Sequence, residues 1–537
     1  MFIFQSMFFF TIVFFIIKNV SGEELKIVKS APETIRSESI FYSNDIHGYH
    51  LPLAAHWNTG FWGEHGFNPD YQLRMIEQGH YLIPSFYLPD PTRSNMNFHY
   101  YEAAIRKAAT LNLPISFIST QWERYLSDSP NFFSLPSERN PNVIDISGKV
   151  VNKVSPFGPV AVWREMGRKW ATTPVLKKLQ QWYPAPPLVL FVSNNEHRRL
   201  DWHEVESSRR YLAEHGKGRD GDFKRRVVGN GWIERYRALQ AGLRAGLDSE
   251  VWREKALFVG FNAFGTGAFG RWPGWKKYSL YTPQRIEPWP LAWDGASLPY
   301  YVNNWNASTD YAVMSPQIEA MNWVFMRGEA QRLNPGFWLE LSTWDGHAPT
   351  KGNDKRKFYE RMGQVFDPDR YEGFVQFGMW LLRPRVVREF RDERSSVAKD
   401  GPYFGAVISA VDRVHNNSTL SRFWKKGRLV ANHRPGHPYQ ENIPIEYKDA
   451  ERWFLVDAEL NPKRPWSLDT KIPIYSLALV VGEKPNREWL IYAHSPLEAR
   501  AMVKISVIDS FSTTIDVPTS GIFYIYSEKN DSVYKVT

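Results

Sequence analysis

From about His50 to Glu393, short apolar runs alternate with longer amphipathic stretches. That rhythm marks βα units around a parallel sheet. Strands are expected at Leu53–His56, Tyr81–Phe86, Ile115–Ser119, Leu188–Ser193 and Leu257–Phe261. The sixth is either Tyr300–Asn303 or Tyr311–Met314, and Phe337–Leu341 and Gly373–Phe377 complete the set. Leu188-Val-Leu-Phe-Val192 is apolar without interruption, as a strand buried on both faces should be. Helical periodicity falls between the strands, at Tyr101–Leu111, His203–Glu214, Ile233–Leu247 and Ile318–Arg332. Eight such units close into a (β/α)8 TIM barrel, which hides both sheet edges. An open doubly wound sheet is the alternative reading of the same rhythm.

After Arg394 the pattern changes. Phe404–Val414 reads as one more helix, placed to close the barrel. From Arg452 the chain breaks into short strand-like runs at Trp453–Val456, Ile474–Val481, Leu490–Ala493, Met502–Ile508, Thr514–Val517 and Ile522–Ser527. Turn residues separate them and helical periodicity is missing, which predicts a C-terminal β-sandwich. The expected division is a signal peptide over 1–22, a catalytic barrel over 23–400, a connecting segment over 401–450 and a β-sandwich over 451–537.

Residues Met1–Ile17 are almost wholly apolar and are followed by Lys18-Asn-Val-Ser-Gly22, with small residues at the positions a signal peptidase prefers. The run is short for a membrane-spanning helix, which needs about 20 residues. A cleaved signal and a secreted or periplasmic protein without stable membrane insertion are therefore expected. The sequence contains no cysteine, which removes disulfides and thiol nucleophiles alike. Trp, Tyr and Phe number 22, 26 and 34 and together make 15% of the chain. Flat apolar faces with polar tips suit stacking on sugar rings. The formal net charge is +9, and the Lys and Arg residues are scattered, with no basic tract or zinc-finger spacing. That pattern favours an anionic glycan over nucleic acid as partner.

Barrel enzymes carry their chemistry at the C-terminal ends of the strands. The expected strand ends present His56-Trp57-Asn58, Gln121-Trp122-Glu123, Asn195-Glu196, Asn262, Tyr301, Glu340 and, beyond the last strand, Trp380. Trp305 and Trp344 lie in adjoining loops as further candidate sugar contacts, and Glu123 and Asp345 could stand in for either principal acid. This is a ring of amides, carboxylates and tryptophans, suited to hydroxyl-rich ligands. Glycoside hydrolysis needs two carboxyl groups flanking the scissile bond, one protonated and one ionised. Glu196 and Glu340 belong to the fourth and seventh strands and can face each other across the mouth.

Ser193-Asn-Asn-Glu196 after the fourth strand, with Glu340 on the seventh, resembles the clan A retaining glycoside hydrolases; the motifs do not assign a family within the clan. The resemblance implies a (β/α)8 barrel in which Glu196 is the acid/base and Glu340 the nucleophile. It also implies that Asn195 meets the sugar 2-hydroxyl and that Trp380 floors the subsite of the cleaved sugar. The carboxyls should then lie about 5 to 5.5 Å apart. No metal or cofactor is implied.

The reaction expected is double displacement on a polysaccharide. Arg198, Arg199, Lys276, Lys277 and Arg383 near strand ends and long loops lean toward a sulfated or uronate-bearing galactan, with a neutral β-glycan as the competing substrate, and the long aromatic loops lean toward internal cleavage. The competing readings are a non-catalytic carbohydrate-binding barrel, which needs the aromatic ring but not both acids, and a polysaccharide lyase. Gly265-Thr-Gly-Ala-Phe-Gly270 matches a dinucleotide fingerprint by letter, but Pro273 blocks the helix such a site needs. His433 and His437 flank Pro435 in a loop and do not make a helical metal pair.

Overall fold

The computed structural model describes residues 29–40, 50–57, 67–91, 99–119, 134–193, 199–261, 289–301, 327–328, 330–346, 366–391, 396–430, 474–496, 498–507 and 511–537. A parallel sheet is built from β1 (Leu53–Trp57), β2 (Leu82–Ile83), β3 (Ser85–Leu88) and β4 (Ile115–Ser119). An antiparallel hairpin, β5 (Asn142–Ile144) and β6 (Val150–Val154), interrupts the series. The sheet then continues with β7 (Val189–Ser193), β8 (Ala256–Phe261), β9 (Gly295–Tyr301), β10 (Trp338–Trp344) and β11 (Val386–Phe390). Its strand order is β2-β1-β11-β10-β9-β8-β7-β4-β3.

The two edges of this sheet, β2 and β3, are separated in the chain only by Pro84. Proline has no N–H and cannot continue the ladder, so one bent strand is split at that residue. Its first part pairs with β1 through Ala54↔Leu82, and its second pairs with β4 through Ser85↔Ser116. The Pro84 carbonyl itself accepts from Ser116 N at 3.0 Å. Counting β2 and β3 as one element gives eight parallel strands closed on themselves, the (β/α)8 architecture.

The outer layer includes α1 (Pro69–Glu77), α2 (His99–Thr110), α3 (Val160–Ala171), α4 (Pro174–Trp182), α5 (Gly221–Gly246), α6 (Pro368–Leu382), α7 (Val397–Asn416) and α8 (Ser418–Lys426). The helix expected at Phe404–Val414 lies within α7. Helices α3 and α5 touch backbone to backbone. A Cβ on Gly167 would stand 1.9 Å from Leu239 O, and one on Gly242 1.9 Å from Arg164 O. Only glycine allows that approach.

The eighth strand is not Gly373–Phe377. That segment lies inside α6, which starts at Pro368 with the Asp367 carboxylate accepting from Arg370 N at 2.8 Å. The helix is apolar nearly all round because it is covered on both sides, by the barrel and by the C-terminal sheet. Its run Phe374 to Leu382 has no polar stripe to reveal a 3.6-residue period. The true eighth strand, β11, carries Arg388 and Glu389 in its centre. The seventh strand also runs on past the expected end at Leu341 to Trp344, keeping register with β9 through Ser342↔Pro299 and Trp344↔Tyr301. The sixth is Gly295–Tyr301, earlier than either expected position.

The C-terminal region is a two-layer antiparallel β structure. A five-stranded sheet is formed by β12 (Arg428–Leu429), β13 (Tyr475–Val481), β14 (Glu488–His494), β17 (Ile522–Ser527) and β18 (Ser532–Lys535). Tyr475, Leu477, Leu479, Tyr492 and Phe523 join the barrel's core, and Tyr492 Oη donates to Gly373 O at 2.7 Å. From its other face Ala478, Ile491 and Ala493 pack on Val503, Ile505, Ile515 and Val517 of the hairpin β15 (Arg500–Val507) and β16 (Phe511–Val517). The expected strand at Trp453–Val456 lies outside the described residues.

Candidate active site

Five barrel strands end on an aromatic residue: Trp57 on β1, Phe261 on β8, Tyr301 on β9, Trp344 on β10 and Phe390 on β11. Side chains alternate between the two faces of a strand, and all five of these point into the bore. The strands at the first and fifth positions stand opposite each other in an eight-stranded barrel. The Trp57 and Phe261 rings nevertheless lie 5.5 Å apart, so they meet across its mouth. The other rings fill the rest of the circle: Phe261–Tyr301 at 6.2 Å, Tyr301–Trp344 at 5.4 Å, Trp344–Phe390 at 5.6 Å and Phe390–Trp57 at 6.3 Å. Trp57 and Phe261 are 2% and 3% exposed, whereas Tyr301, Trp344 and Phe390 keep part of their surface open. The result is an aromatic floor across the working end of the barrel.

Glu340 lies beneath this floor. It is the third residue of β10, not the last, and shares the inward face with Ser342 and Trp344. At about 3.3 Å per residue its Cα is roughly 13 Å below the strand's end. The expected strand-end position is thus corrected: Ser342 and Thr343 read as loop but are fully buried strand residues. The Arg388 guanidinium grips the carboxylate with two prongs, Nε to Oε2 at 2.7 Å and Nη2 to Oε1 at 2.9 Å. Trp338 Nε1 donates to Oε1 at 3.1 Å, and Arg388 Nη1 donates to Ser85 Oγ at 3.0 Å on the far side of β1. Glu340 and Arg388 are both 0% exposed. Such a pair persists in a low-dielectric interior only when its remaining donors and acceptors are also matched.

A second charged cluster lies behind the wall, between β10, β11 and the helices. Arg391 binds Asp345 Oδ1 at 2.5 Å and approaches Glu389 Oε1 at 2.5 Å, the latter as an ion pair without aligned hydrogen-bond geometry. Tyr371 Oη on α6 donates to the other Glu389 oxygen, and the Tyr403 ring of α7 lies under Arg391 at 5.3 Å. Burial pushes the Glu389 carboxyl up to about 8; Arg391 works against that rise and Asp345 adds to it. Burial, together with the Glu389 charge, also holds the Tyr371 phenol well above its ordinary range.

Two residues expected to touch substrate do not face the mouth. His56 precedes Trp57 and so points outward, into the helix layer. Its ring stacks on Phe67 at 4.4 Å and meets Phe404 edge-on at 5.1 Å. Burial first, then the neighbouring Arg391 and Arg388, keep it well below the usual imidazole range, so it is neutral. Trp380 sits on α6, fully buried, with Trp424 at 5.2 Å and Phe523 at 5.1 Å. It packs the barrel against the C-terminal sheet. Arg383 is likewise withdrawn from any ligand, its guanidinium donating to Gly427 O at 2.6 Å and Trp424 O at 3.1 Å.

Trp57, Tyr301 and Trp344, three of the residues expected to contact a sugar, lie together on this floor. Phe261 and Phe390 were missed there, although the alternation in Leu257-Phe-Val-Gly-Phe261 places Phe261 inward. Arg388, Glu389 and Arg391 were missed with the eighth strand. Glu196, Asn195, Asn58, Gln121, Trp122, Glu123, Asn262 and Trp305 lie outside the described residues, as do His433 and His437. No group of three or more His, Asp or Glu suited to a metal occurs among the described residues, and none of their helices is long and apolar enough to cross a membrane.

No protein-family model matches the sequence, and no curated protein sequence is significantly similar to it. Solved structures with a related chain path include a glycoside hydrolase family 36 α-galactosidase from Geobacillus stearothermophilus. It has 7% identity and a TM-score of 0.40, over 94% of this chain and 58% of that one. The catalytic domain of a family 26 endo-β-1,4-mannanase from a Bacillus species has 11% identity and a TM-score of 0.36, over 73% and 93%. A family 51 α-L-arabinofuranosidase from Bifidobacterium longum has 10% identity and a TM-score of 0.24, over 82% and 92%. The chain thus spans 58% of the α-galactosidase's length, under two thirds. At these identities and TM-scores a likeness says nothing about activity, which has to be read from this chain's own residues.

Proposed function

We propose that the protein is a retaining glycoside hydrolase that cleaves a polysaccharide internally, with Glu196 as acid/base and Glu340 as nucleophile. One observation carries this reading. Among the described residues Glu340 is the carboxylate that faces the barrel bore, on the seventh strand, and the fourth strand, β7, leads directly into Asn195-Glu196. The aromatic floor supports the substrate class, since Tyr301, Trp344 and Phe390 offer partly open ring faces where a pyranose can stack.

In the mechanism Glu340 attacks the anomeric carbon while Glu196 protonates the leaving oxygen. Glu196 then takes a proton from water as the water oxygen attacks the anomeric carbon, and the Glu340 carboxylate leaves, freeing the sugar from the enzyme. Arg388 fixes both Glu340 oxygens, so it orients the nucleophile. Attack requires the Trp57–Phe261 contact to part, because those rings stand between the carboxylate and the mouth. A signal-directed secreted protein and an anionic galactan as substrate belong to the same proposal, motivated by the apolar first 17 residues and the +9 charge.

A second reading is favoured by the closed floor and the fully paired Glu340: a barrel that binds glycan without cleaving it. The two are separated by incubating the protein with neutral, sulfated and uronate-bearing polysaccharides and following the first products by proton NMR. A retaining hydrolase releases reducing ends with the anomeric configuration of the substrate. Inverted products contradict the assigned pair, unsaturated sugars indicate a lyase, and binding without products establishes the second reading.

A further inference from the structure

Away from the barrel mouth, a groove of about 760 Å³ runs along α3. That is within the size range of ligand sites, roughly 300–1,000 Å³. Its walls are the first turn of α3, Pro159–Val162, the exposed side of the same helix at Arg164 and Arg168, and the segment Leu135–Arg139. Four cations line it against two acids, Glu138 and Glu165, and the first turn of α3 contains no acidic residue. Arg139, Arg164 and Arg168 are exposed, and none of the three guanidinium groups pairs with another described side chain. Arg164 and Arg168 stand one turn apart on the same face, about 5.4 Å along the helix.

This arrangement is built and held. Gly167 and Gly242 lock α3 against α5 by backbone contact, so the two arginines project from a fixed surface. The opposite wall is pinned by Arg210, which donates to the carbonyls of Ser137, Asn140 and Asn142. Burial lowers the Arg210 pKa, and the nearby Arg235 lowers it further. Opposite charges one turn apart on a helix can pair; here, among the described residues, the three guanidinium groups make no such pair, although Glu138 and Glu165 also line the concavity. Guanidinium groups match sulfate and carboxylate oxygens in two-pronged geometry.

We infer that this groove is a second glycan-binding site, for a polysaccharide bearing sulfate or carboxylate groups, held by Arg139, Arg164 and Arg168. Nucleic acid fits it less well: among the described residues no aromatic ring lines the groove to stack a base. Two cations one turn apart on α3, with a third on the facing wall, suit a repeating single chain with spaced charges. The groove lies on α3, outside the barrel, and none of the rings of the aromatic floor is among its described lining residues, so a chain held here leaves that floor open. The choice of ligand rests on the carbohydrate-active reading; the groove and its exposed guanidinium groups do not.

The test is affinity electrophoresis of the full chain in gels containing κ-carrageenan, a sulfated galactan, with neutral agarose and a single-stranded oligonucleotide as comparisons. Retardation reads binding and needs no turnover, so failure of the hydrolase proposal leaves the result intact. The wild-type protein should be retarded by carrageenan and not by agarose, with retardation falling steeply as salt rises. R139A/R164A/R168A should weaken carrageenan binding at least tenfold while its thermal unfolding stays unchanged, and R164K/R168K should fall between the two. Equal retardation of the triple variant and wild type overturns the inference. So does equal retardation by agarose, or stronger retardation by the oligonucleotide.

Discussion

Glu340 on β10 and Arg388 on β11 form a two-pronged ion pair inside the barrel, with Ser85 on the strand beyond β1 as the guanidinium's third partner. The pair spans the seam where the last strand meets the first and second. It therefore has two consequences: it fixes the proposed nucleophile, and it ties the barrel closed.

Removing one member of a buried pair leaves an uncompensated charge, at about 3–5 kcal/mol. Arg388→Met should accordingly lower unfolding stability in urea by that order. The double variant Glu340→Gln, Arg388→Met should recover part of the loss because neither charge then remains. If the double variant loses as much as the two single changes added together, the two residues are not coupled as described.

Glu389 gives the fold a pH dependence of definite sign. Its carboxyl is pushed up from 4.5 to about 8, so between those values the folded protein holds a proton that the unfolded chain releases. Stability from this group is complete below about pH 4.5 and is lost as pH rises through 8, at about 1.4 kcal/mol per pH unit where the difference is one proton. The groups facing it are Tyr371 from α6, Arg391 beyond β11, Asp345 at the end of β10 and Thr343 within β10; Asp400 from α7 acts on Arg391. Glu389→Gln should flatten the fall of Tm between pH 5 and 8 relative to wild type. Parallel Tm curves for the two proteins would remove Glu389 as the source.

Trp344 and Trp380 separate binding from packing. Trp344 is partly open on the aromatic floor, and Trp344→Ala should weaken polysaccharide binding about five- to tenfold, the worth of one aromatic stack of about 1 kcal/mol. Trp380 is buried between the barrel and the C-terminal sheet, and Trp380→Ala should cost about 3–5 kcal/mol of stability and leave affinity unchanged. Affinity titrations and urea melts of both variants check this. The reverse pattern would restore Trp380 to the site.

The α3–α5 contact leaves no room for a methyl group. Gly242→Ala places a Cβ against the Arg164 carbonyl, and the helices must separate, at about 1–3 kcal/mol. The melting temperature reports the loss. A neutral outcome would mean that the two helices stand further apart than described.

The sequence made the closed parallel barrel and the C-terminal β structure legible because continuous apolar strands and turn-bounded runs carry strong periodic signals. The strand expected at Leu188–Ser193 is Val189–Ser193, and the one expected at Ile522–Ser527 has those bounds. The eighth strand was not legible. Helix α6 is covered on two sides and shows no polar stripe, whereas β11 carries Arg388 and Glu389 at its centre and looks like surface. That misplacement took the whole charged framework with it, and it put Trp380 at a strand end. His56 failed for a smaller reason: one step along a strand reverses the face, and the ring that looks into the bore is Trp57. Glu340 was found as a carboxylate in an apolar strand, but its partner and its depth depend on how far β10 continues.

The most direct test of the catalytic pair is reducing-end release by wild type, Glu196→Gln and Glu340→Gln on the same polysaccharide panel, with unfolding curves confirming that each variant is folded. Loss of the acid/base should reduce the rate by about 10² to 10⁴, and loss of the nucleophile by at least that much. Wild-type cleavage that falls in both folded variants is the expected result. Cleavage that survives in either variant contradicts the pair.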